Sequence, residues 1–282
     1  MKKGVIIQAR TRSTRFPKKI LKSLPYKSSL TVLDQIIRRV KLSECIDEII
    51  IATTINPEDN EIVDAAKRNN VHVFRGSEED VLARYYHAAV SRELDLVVRI
   101  TSDCPCMDWN IIDTMIKKFE IGTYDYLSNT LQRTFPRGLD VEIFSFNALT
   151  EAFKKAEDQD FREHVSPYIY KTNDFRTGNF EASPSCFAPN IRITLDTLAD
   201  YALICSVYDY LYENNPNFIC SDIVKLFKEK SWLYFINQDV VHKKILMSLA
   251  EEVKEAIRIL ELQDLAKAKE FLDVSFRKHS NK

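Results

Sequence analysis

Short β-branched runs alternate with helical periodicity in the first half of this chain, and this alternation limits the possible folds more than any other feature. Four short runs rich in Val and Ile predict strands: Val5–Gln8, Glu48–Thr53, Val71–Phe74 and Leu96–Ile100. Between them, apolar residues recur three and four positions apart, which predicts helices. Strand–helix–strand repeats require right-handed crossovers. We therefore predict an α/β, Rossmann-like, mainly parallel sheet with helices on both faces.

The alternation becomes looser after about residue 124. Three further segments have strand character, namely Tyr124–Ser128, Val141–Phe146 and Ile191–Leu195. Two longer apolar-periodic segments, Phe146–Ala156 and Leu198–Tyr212, predict helices. The second half therefore extends the same α/β domain.

The C-terminal segment from Asp239 to Phe276 differs in composition from the rest. Ala, Leu, Glu and Lys dominate it, and it contains neither Gly nor Pro, which predicts one long helix or a helical pair. We divide the chain into a main domain, residues 1–238, and a helical C-terminal extension, residues 239–282. The apolar periodicity of the extension calls for a partner surface, either the main domain or a second copy, and we favour a homodimer.

Composition excludes several classes of protein. The chain has 282 residues with 40 basic and 41 acidic side chains, so it lacks the basic surplus of a general nucleic-acid binder. No apolar stretch approaches the ~20 residues of a membrane span, and the opening apolar run is too short for a signal peptide. Six scattered cysteines predict reduced thiols, and the Cys104-x-Cys106 pair lacks the further ligands of a metal site. We expect a cytoplasmic protein without nucleic-acid or membrane partners.

A cationic loop follows the first predicted strand. Ligands of parallel sheets bind beyond the carboxyl ends of strands, so this position favours an anion site over a solvated basic loop. The loop contains no acidic residue, and neither a P-loop nor a dinucleotide-binding glycine motif is present. Side chains must therefore supply most of the contacts to a bound polyphosphate. The cations are Arg10, Arg12, Arg15, Lys18 and Lys19.

The stretch QARTRSTRFPKKIL resembles the opening signature of the CMP-sugar synthetase superfamily, A-R-x-G-S-x-R-x-P-x-K-x-L. The chain is most similar to the spore-coat-polysaccharide-type cytidylyltransferases, relatives of the acylneuraminate and 3-deoxy-manno-octulosonate cytidylyltransferases. Five later blocks follow in the order of that family: VFRGSEEDVLARYY, VRITSDCP, GLDVEIF, REHVSPY and RITLDTLAD. Residues after about Lys244 lie outside the resemblance. Arg12 and Lys18 stand where the family commonly has glycine.

The resemblance implies a nucleotide-diphospho-sugar-transferase type of domain over residues 1–238, which transfers CMP from CTP to an acceptor and releases pyrophosphate. It implies catalytic roles for Arg10, Arg15 and Lys19, which would hold the triphosphate. Asp103 and Asp196 would hold Mg²⁺, an ion that prefers one or two carboxylates plus phosphate oxygens. The implied nucleotide-binding residues are Ala9, Arg10, Ser13, Arg75, Ser77 and Asp103, with Arg84 and Tyr85 as pocket or supporting residues.

The acceptor site is less defined by the sequence. Asp140 and Glu142 alternate with apolar residues on a predicted strand, which indicates either a substrate pocket or a solvated strand face. The resemblance adds His164 and Arg192 as substrate contacts. It implies an acidic, nonulosonate-like sugar as acceptor, for surface polysaccharide or glycan synthesis. Two alternatives remain: a phosphonate or phosphorylated acceptor, and a catalytically inactive nucleotide-binding or scaffolding relative.

Overall fold

One seven-stranded sheet organises the part of the chain that the structure, a computed structural model, describes, namely residues 1–240 and 248–280. The strand order is β3-β2-β1-β4-β6-β5-β7. β6 runs antiparallel to β4 and β5, and the other neighbouring pairs are parallel, which confirms the predicted mainly parallel sheet. The strands are β1 Lys3–Gln8, β2 Glu48–Thr54, β3 His72–Gly76, β4 Leu96–Thr101, β5 Tyr126–Ser128, β6 Glu142–Ser145 and β7 Thr177–Asn179.

Local sequence signals begin several of the helices. Thr31 and Thr197 each form a capping box with the aspartate three residues later, and Asp80 accepts a hydrogen bond from a backbone N–H of the helix that follows it. The helices in the main part of the chain are α1 Val32–Val40, α2 Asn60–Arg68, α3 Val81–Ser91, α4 Trp109–Ile121, α5 Phe146–Lys155, α6 Gln159–His164, α7 Pro167–Lys171, α8 Leu198–Leu211 and α9 Cys220–Glu229.

Two hydrophobic cores flank the sheet, because successive strand side chains point to opposite faces. In β1, Val5 and Ile7 belong to the core formed with α1, α4 and α8, whereas Ile6 belongs to the core formed with α3 and α5. All three side chains are fully buried, and each such burial contributes roughly 1.5–3 kcal/mol. The prediction of helices on both faces is therefore confirmed, and the sheet holds the carboxyl ends of β1, β2, β3 and β4 at one edge.

The predicted strand at Ile191–Leu195 is wrong. This extended segment pairs with a turn instead of a sheet neighbour: Ile193 N donates to Arg137 O at 2.8 Å, and Arg137 N donates to Ile191 O at 2.9 Å. Gly138 in that turn has a φ of 108°, and a Cβ there would lie 2.7 Å from the Ile193 carbonyl carbon. The sequence also missed β7, because Thr177–Asn179 contains no apolar run.

The chain forms two compact units, Met1–Val240 and Val241–Lys282. In the second unit, α10 spans Leu249–Leu262 and α11 spans Ala266–Ser280, so the predicted helical tail is a pair of helices. Asp264, with a φ of 53°, lies in the turn between them. Residues 241–247 of the predicted tail lie outside the described residues. None of the described helices combines the length and apolar character needed to cross a membrane.

Candidate active site

Lys19 joins two separate loops at the carboxyl edge of the sheet. Its ammonium nitrogen donates to Asp103 Oδ2 at 3.2 Å, to Asp196 Oδ1 at 2.9 Å and to the Leu195 carbonyl oxygen at 2.6 Å. The side chain is only 12% exposed. Burial acts to lower the pKa of Lys19, but the two carboxylates outweigh burial and raise the pKa above its ordinary value. Lys19 is therefore charged at neutral pH and lies between two carboxylates.

Asp103 takes its position from the end of β4. The Thr101 hydroxyl donates to Asp103 Oδ1 at 2.6 Å, which orients the carboxylate. The Asp103 backbone carbonyl accepts a hydrogen bond from Leu195 N at 2.8 Å, so the loop after β4 is tied to the segment that carries Asp196. Two aspartates that are 93 positions apart in the sequence are thus brought to one cation.

Asp196 receives three cationic side chains. Besides Lys19, Arg15 lies 3.0 Å from Asp196 Oδ2 and Arg192 donates to the same oxygen at 2.8 Å. Burial acts to raise the pKa of Asp196, but Lys19, Arg192 and Arg15 together lower it to about 2. The carboxylate is ionised at neutral pH and anchors two of the three cations that the resemblance marks as catalytic.

Asp200 and Asn237 support this cluster, and sequence analysis did not identify either of them. Asp200 is fully buried and accepts from Arg192 Nε at 2.9 Å and from Asn237 Nδ2 at 2.8 Å. Asp200 also accepts from Asp196 N at 3.0 Å, so it fixes both residues of the Arg192–Asp196 pair. The T-x-x-D capping pattern at Thr197–Asp200 was the available signal, although it predicts a helix start and not a site.

The remaining cations of the loop face different partners. Arg10 is 44% exposed, and its NH1 lies 4.0 Å from Glu78. Arg12 pairs with Glu58 at 3.2 Å and Glu78 at 3.4 Å. Lys18, paired with Glu61, has a φ of 54°, a left-handed conformation that explains why glycine is usual at this position. The structure thus brings Arg15 and Lys19 to the aspartates but not Arg10.

A buried carboxylate fixes the start of the cationic loop. Asp59 accepts from Thr11 N at 2.8 Å and from Thr11 Oγ1 at 2.7 Å, and it also accepts from Thr53 and Thr54 at the end of β2. Burial acts to raise the pKa of Asp59, but these hydroxyl and amide donors outweigh burial and lower it. Sequence analysis missed Asp59, because its N-P-E-D context reads as an ordinary turn.

The residues predicted to bind nucleotide make structural contacts at the ends of β1 and β3. Arg75 donates to the carbonyl oxygens of Thr54 and Asn56, both at 2.8 Å, and so holds the loop after β2. The Ser77 hydroxyl accepts from Asp80 N at 3.1 Å. Ala9 is buried and Ser13 is half-buried at the loop itself. Their contacts to nucleotide stay predictions.

The acidic residues predicted for the acceptor pocket have cationic partners of their own. Asp140 accepts from both terminal nitrogens of Arg133, at 2.7 and 2.9 Å, and lies before β6 rather than on it. Glu142 is buried and pairs with Arg99, and it also accepts from Tyr126 at 2.8 Å and from Ser166. The two carboxylates therefore do not share a strand face. His164 is the last residue of α6.

The cations Arg15 and Lys19 lie at the carboxyl edge of a mainly parallel sheet and can bind a polyphosphate. In the described part of the chain no cluster of three or more His, Cys, Asp or Glu side chains forms a complete metal cage by itself. The fold and this site are those of a nucleotidyltransferase.

Comparison with known proteins identifies the family. The cytidylyltransferase family profile matches residues 4–265, well past residue 244, so the expectation that the resemblance ends there is wrong. The spore coat polysaccharide biosynthesis protein SpsF of Bacillus subtilis is 32% identical over 229 residues, covering 78% of this chain and 92% of that protein. An uncharacterized protein of Methanocaldococcus jannaschii is 40% identical over 199 residues, covering 70% of this chain and 79% of that protein.

A solved structure of a cytidylyltransferase from Leptospira borgpetersenii superposes on this chain with a TM-score of 0.79 and 34% identity. The superposition covers 86% of this chain and 100% of the other. The chain belongs to the cytidylyltransferase family.

Proposed function

We propose that this enzyme transfers CMP from CTP to an acidic, nonulosonate-like sugar and releases pyrophosphate. The observation that carries the proposal is the contact of one buried ammonium, that of Lys19, with Asp103 at 3.2 Å and Asp196 at 2.9 Å. The family profile supports the cytidylyl group, and the relative named for spore coat polysaccharide biosynthesis supports a sugar acceptor.

In-line attack on the α-phosphate of CTP requires little covalent chemistry from the protein. Negative charge builds up on the leaving pyrophosphate, and preorganised cations in a partly buried site stabilise it. Lys19 and Arg15 are held in place by Asp196 before substrate arrives, so their orientation costs little at the moment of reaction. Arg10, exposed at the same loop, is available to the outer phosphate oxygens.

The residues present fit a divalent metal ion. Asp103 and Asp196 direct hard carboxylate oxygens toward the same point, now contacted by the Lys19 ammonium, and Mg²⁺ needs one or two such ligands plus phosphate oxygens and water. A bound Mg²⁺ would neutralise charge on the phosphates. In the proposal, Asp103 and Asp196 would hold the ion.

A second group of cations supports an acidic acceptor. Arg137 is half-buried, and burial together with the charges of Arg133 and Arg192 lowers the pKa of its guanidinium. Arg133 is neutralised by Asp140, and Arg192 by Asp196 and Asp200. No ion pair of Arg137 occurs among the described residues, so an acceptor carboxylate would relieve the repulsion there. Sequence analysis did not single out Arg133 or Arg137.

Pyrophosphate release tests the proposal. Purified protein, CTP and Mg²⁺ are incubated with a panel of nonulosonate-like sugar acids, phosphonates and phosphorylated sugars. We expect release with a sugar acid only. Release with a phosphonate or phosphorylated acceptor instead would replace the acceptor class, because Arg137 would equally suit such an anion. Thermal stabilisation by CTP without turnover on any acceptor would favour the inactive nucleotide-binding or scaffolding relative.

We further propose that the enzyme is a cytoplasmic homodimer that uses its C-terminal unit in assembly. Exposed apolar side chains in that unit, including Leu262 and Phe271, support this assignment. Light scattering should give twice the mass of the 32.8 kDa chain. Phe271→Asp should shift the mass toward that of a single chain, whereas a monomeric parent protein would contradict the proposal.

A further inference from the structure

Two of the six cysteines, Cys186 and Cys220, lie side by side although they are 34 positions apart in the sequence. Cys186 lies in a turn before the extended segment Ile191–Leu195, and Cys220 is the first residue of α9. The Cys220 sulfur lies 3.9 Å from the Cys186 carbonyl oxygen, and its thiol also forms a hydrogen bond with the Cys186 sulfur. In the described part of the chain no third His, Cys, Asp or Glu completes a metal site with them, so the pair points to thiol chemistry.

Hydrogen bonds from the backbone hold both cysteines in place. Cys220 N donates to Asp108 Oδ2 at 2.8 Å, which ties the start of α9 to the start of α4. On the other side, Ala188 N, two residues after Cys186, donates to the Thr134 carbonyl oxygen at 3.0 Å. The two sulfurs are therefore neighbours because of the fold of the main unit, and not because of the rotation of one exposed side chain.

The two thiols differ in their access to solvent. Cys220 is 0% exposed, whereas Cys186 is half-buried and is followed by Phe187, which is 57% exposed. A small solute therefore reaches the Cys186 sulfur first, and the Cys220 sulfur lies behind it. This order is the one expected of a reacting thiol and a second thiol that resolves the product.

The Cys186 thiol is also the more acidic of the pair. The hydrogen bond from the Cys220 thiol lowers the pKa of Cys186 to about 6, with help from the hydroxyls of Ser183 and Ser185 and against the effect of burial. Cys186 is therefore largely a thiolate at neutral pH, and the thiolate is the reactive form. Burial raises the pKa of the four remaining thiols, those of Cys45, Cys104, Cys106 and Cys205.

We propose that Cys186 and Cys220 form a reversible disulfide when a peroxide oxidises Cys186, with Cys220 as the resolving thiol. In the first step the Cys186 thiolate attacks one oxygen of hydrogen peroxide. The S–O bond forms as the O–O bond breaks, and the departing hydroxide takes up the thiol proton and leaves as water. In the second step the Cys220 sulfur attacks the Cys186 sulfur, the S–O bond breaks, and hydroxide leaves as water with the Cys220 proton. The two thiols lose two electrons, and the peroxide is reduced to two waters.

The disulfide would join the two ends of the segment that carries Arg192, Asp196 and Asp200. These residues hold Arg15 and Lys19 at the carboxyl edge of the sheet. In a reducing compartment such a disulfide is transient, so the pair is a site of reversible oxidation and not a permanent crosslink.

Disulfide mapping on the full chain tests this proposal. The reduced protein is treated with an equimolar amount of hydrogen peroxide, free thiols are blocked with iodoacetamide, and unreduced peptides are identified by mass spectrometry. We expect a linked Cys186–Cys220 peptide that dithiothreitol separates, with Cys45 still free. Before oxidation, iodoacetamide should label Cys186 about tenfold faster than Cys45. Cys45 is the matched control, because it is also half-buried but burial and Asp113 raise its pKa.

Serine variants separate the roles of the two thiols. In Cys220→Ser, peroxide should leave a sulfenic acid on Cys186 that dimedone captures. In Cys186→Ser, Cys220 should remain unmodified, and Cys45→Ser should form the same disulfide as the parent protein.

Three results would overturn the proposal. The first is a parent protein in which both thiols stay free after peroxide treatment, and the second is equal labelling of Cys186 and Cys45. The third is capture of a sulfenic acid on Cys220 in the Cys186→Ser variant, which would reverse the two roles. The first of these needs no variant, so it decides even if a serine substitution prevents folding.

Discussion

Two adjacent lysines in the cationic loop differ in exposure and in the partners that they contact. Lys19 is 12% exposed and contacts two aspartates and a backbone carbonyl, whereas Lys18 is 54% exposed and pairs with Glu61 at the surface. Arg15 and Arg12 divide in the same way, since Arg15 turns to Asp196 and Arg12 turns to Glu58 and Glu78. Density of charge therefore does not define the site. The site is defined by the cations that meet carboxylates brought from distant parts of the chain.

The two pairs of cations differ because solvent screens exposed charges more strongly than partly buried ones. An exposed ion pair contributes about 0–1 kcal/mol, because water and salt screen it and ordering two long side chains costs entropy. Within the cluster the partly buried charges interact more strongly, and the pKa of Asp196 falls to about 2 as a result. The inner cations, Arg15 and Lys19, are thus preorganised for charge that develops during a reaction. The outer cations, Arg12 and Lys18, are not.

The largest expected effect is a difference in the rate of pyrophosphate release between the variants Lys19→Ala and Lys18→Ala. Loss of the Lys19 ammonium should slow CTP-dependent pyrophosphate release about 100-fold, equivalent to ~3 kcal/mol in the barrier. Lys18→Ala, the matched control in the next position, should stay within about twofold of the parent. Steady-state kinetics on both variants checks this, and similar rates would remove the distinction between inner and outer cations.

The next effect concerns Asp196 and pH. Its pKa is lowered from 3.8 to about 2 in the folded protein, so its ionised form contributes stability above about pH 4 that is lost as the pH falls through 2. The contribution should be about 2 kcal/mol. Urea unfolding of the parent and of Asp196→Asn across this pH range should give different free energies of unfolding, and the difference should disappear at low pH. A difference in unfolding free energy that does not depend on pH would contradict the ion pairing assigned to Asp196.

A smaller effect, a gain in stability, is expected when Lys18 is replaced by glycine. Its φ of 54° is unfavourable for a residue with a Cβ, and glycine adopts it freely. Lys18→Gly should therefore raise the free energy of unfolding by about 0.5–1 kcal/mol. Lys22→Gly is the matched control, because Lys22 has an ordinary extended backbone and should be destabilised by glycine. Chemical denaturation measures the free energy of unfolding of both variants. A lower value for Lys18→Gly than for the parent would contradict the proposed backbone strain at Lys18.

The smallest effect is expected at Arg12, the other usual glycine position. Its exposed pairs with Glu58 and Glu78 should contribute little, so Arg12→Gly should change stability by no more than about 1 kcal/mol. CTP affinity should stay within about threefold of the parent. A large loss of affinity, measured by calorimetry, would show that Arg12 contacts the nucleotide and belongs with the inner cations.

Much of the fold followed from local pattern. The Val- and Ile-rich runs predicted the strands β1, β2, β3 and β4 to within one or two residues at each end, because buried parallel strands need apolar side chains on both faces. The pattern failed at Ile191–Leu195, where equally apolar residues pair with the turn around Gly138. It also failed at β7, which pairs with β5 through backbone hydrogen bonds and carries no apolar signature.

The sequence by itself determined that cations follow the first strand, that Asp103 and Asp196 follow other extended segments, and that the family is the cytidylyltransferases. Only the tertiary structure decided which cations meet those aspartates and that Asp200 and Asn237 hold Arg192 in place. The physical reason is that strand and helix formation depend on residues within a few positions of each other. Electrostatic pairing and burial depend instead on side chains such as Lys19 and Asp196, 177 positions apart, that only the folded sheet brings together.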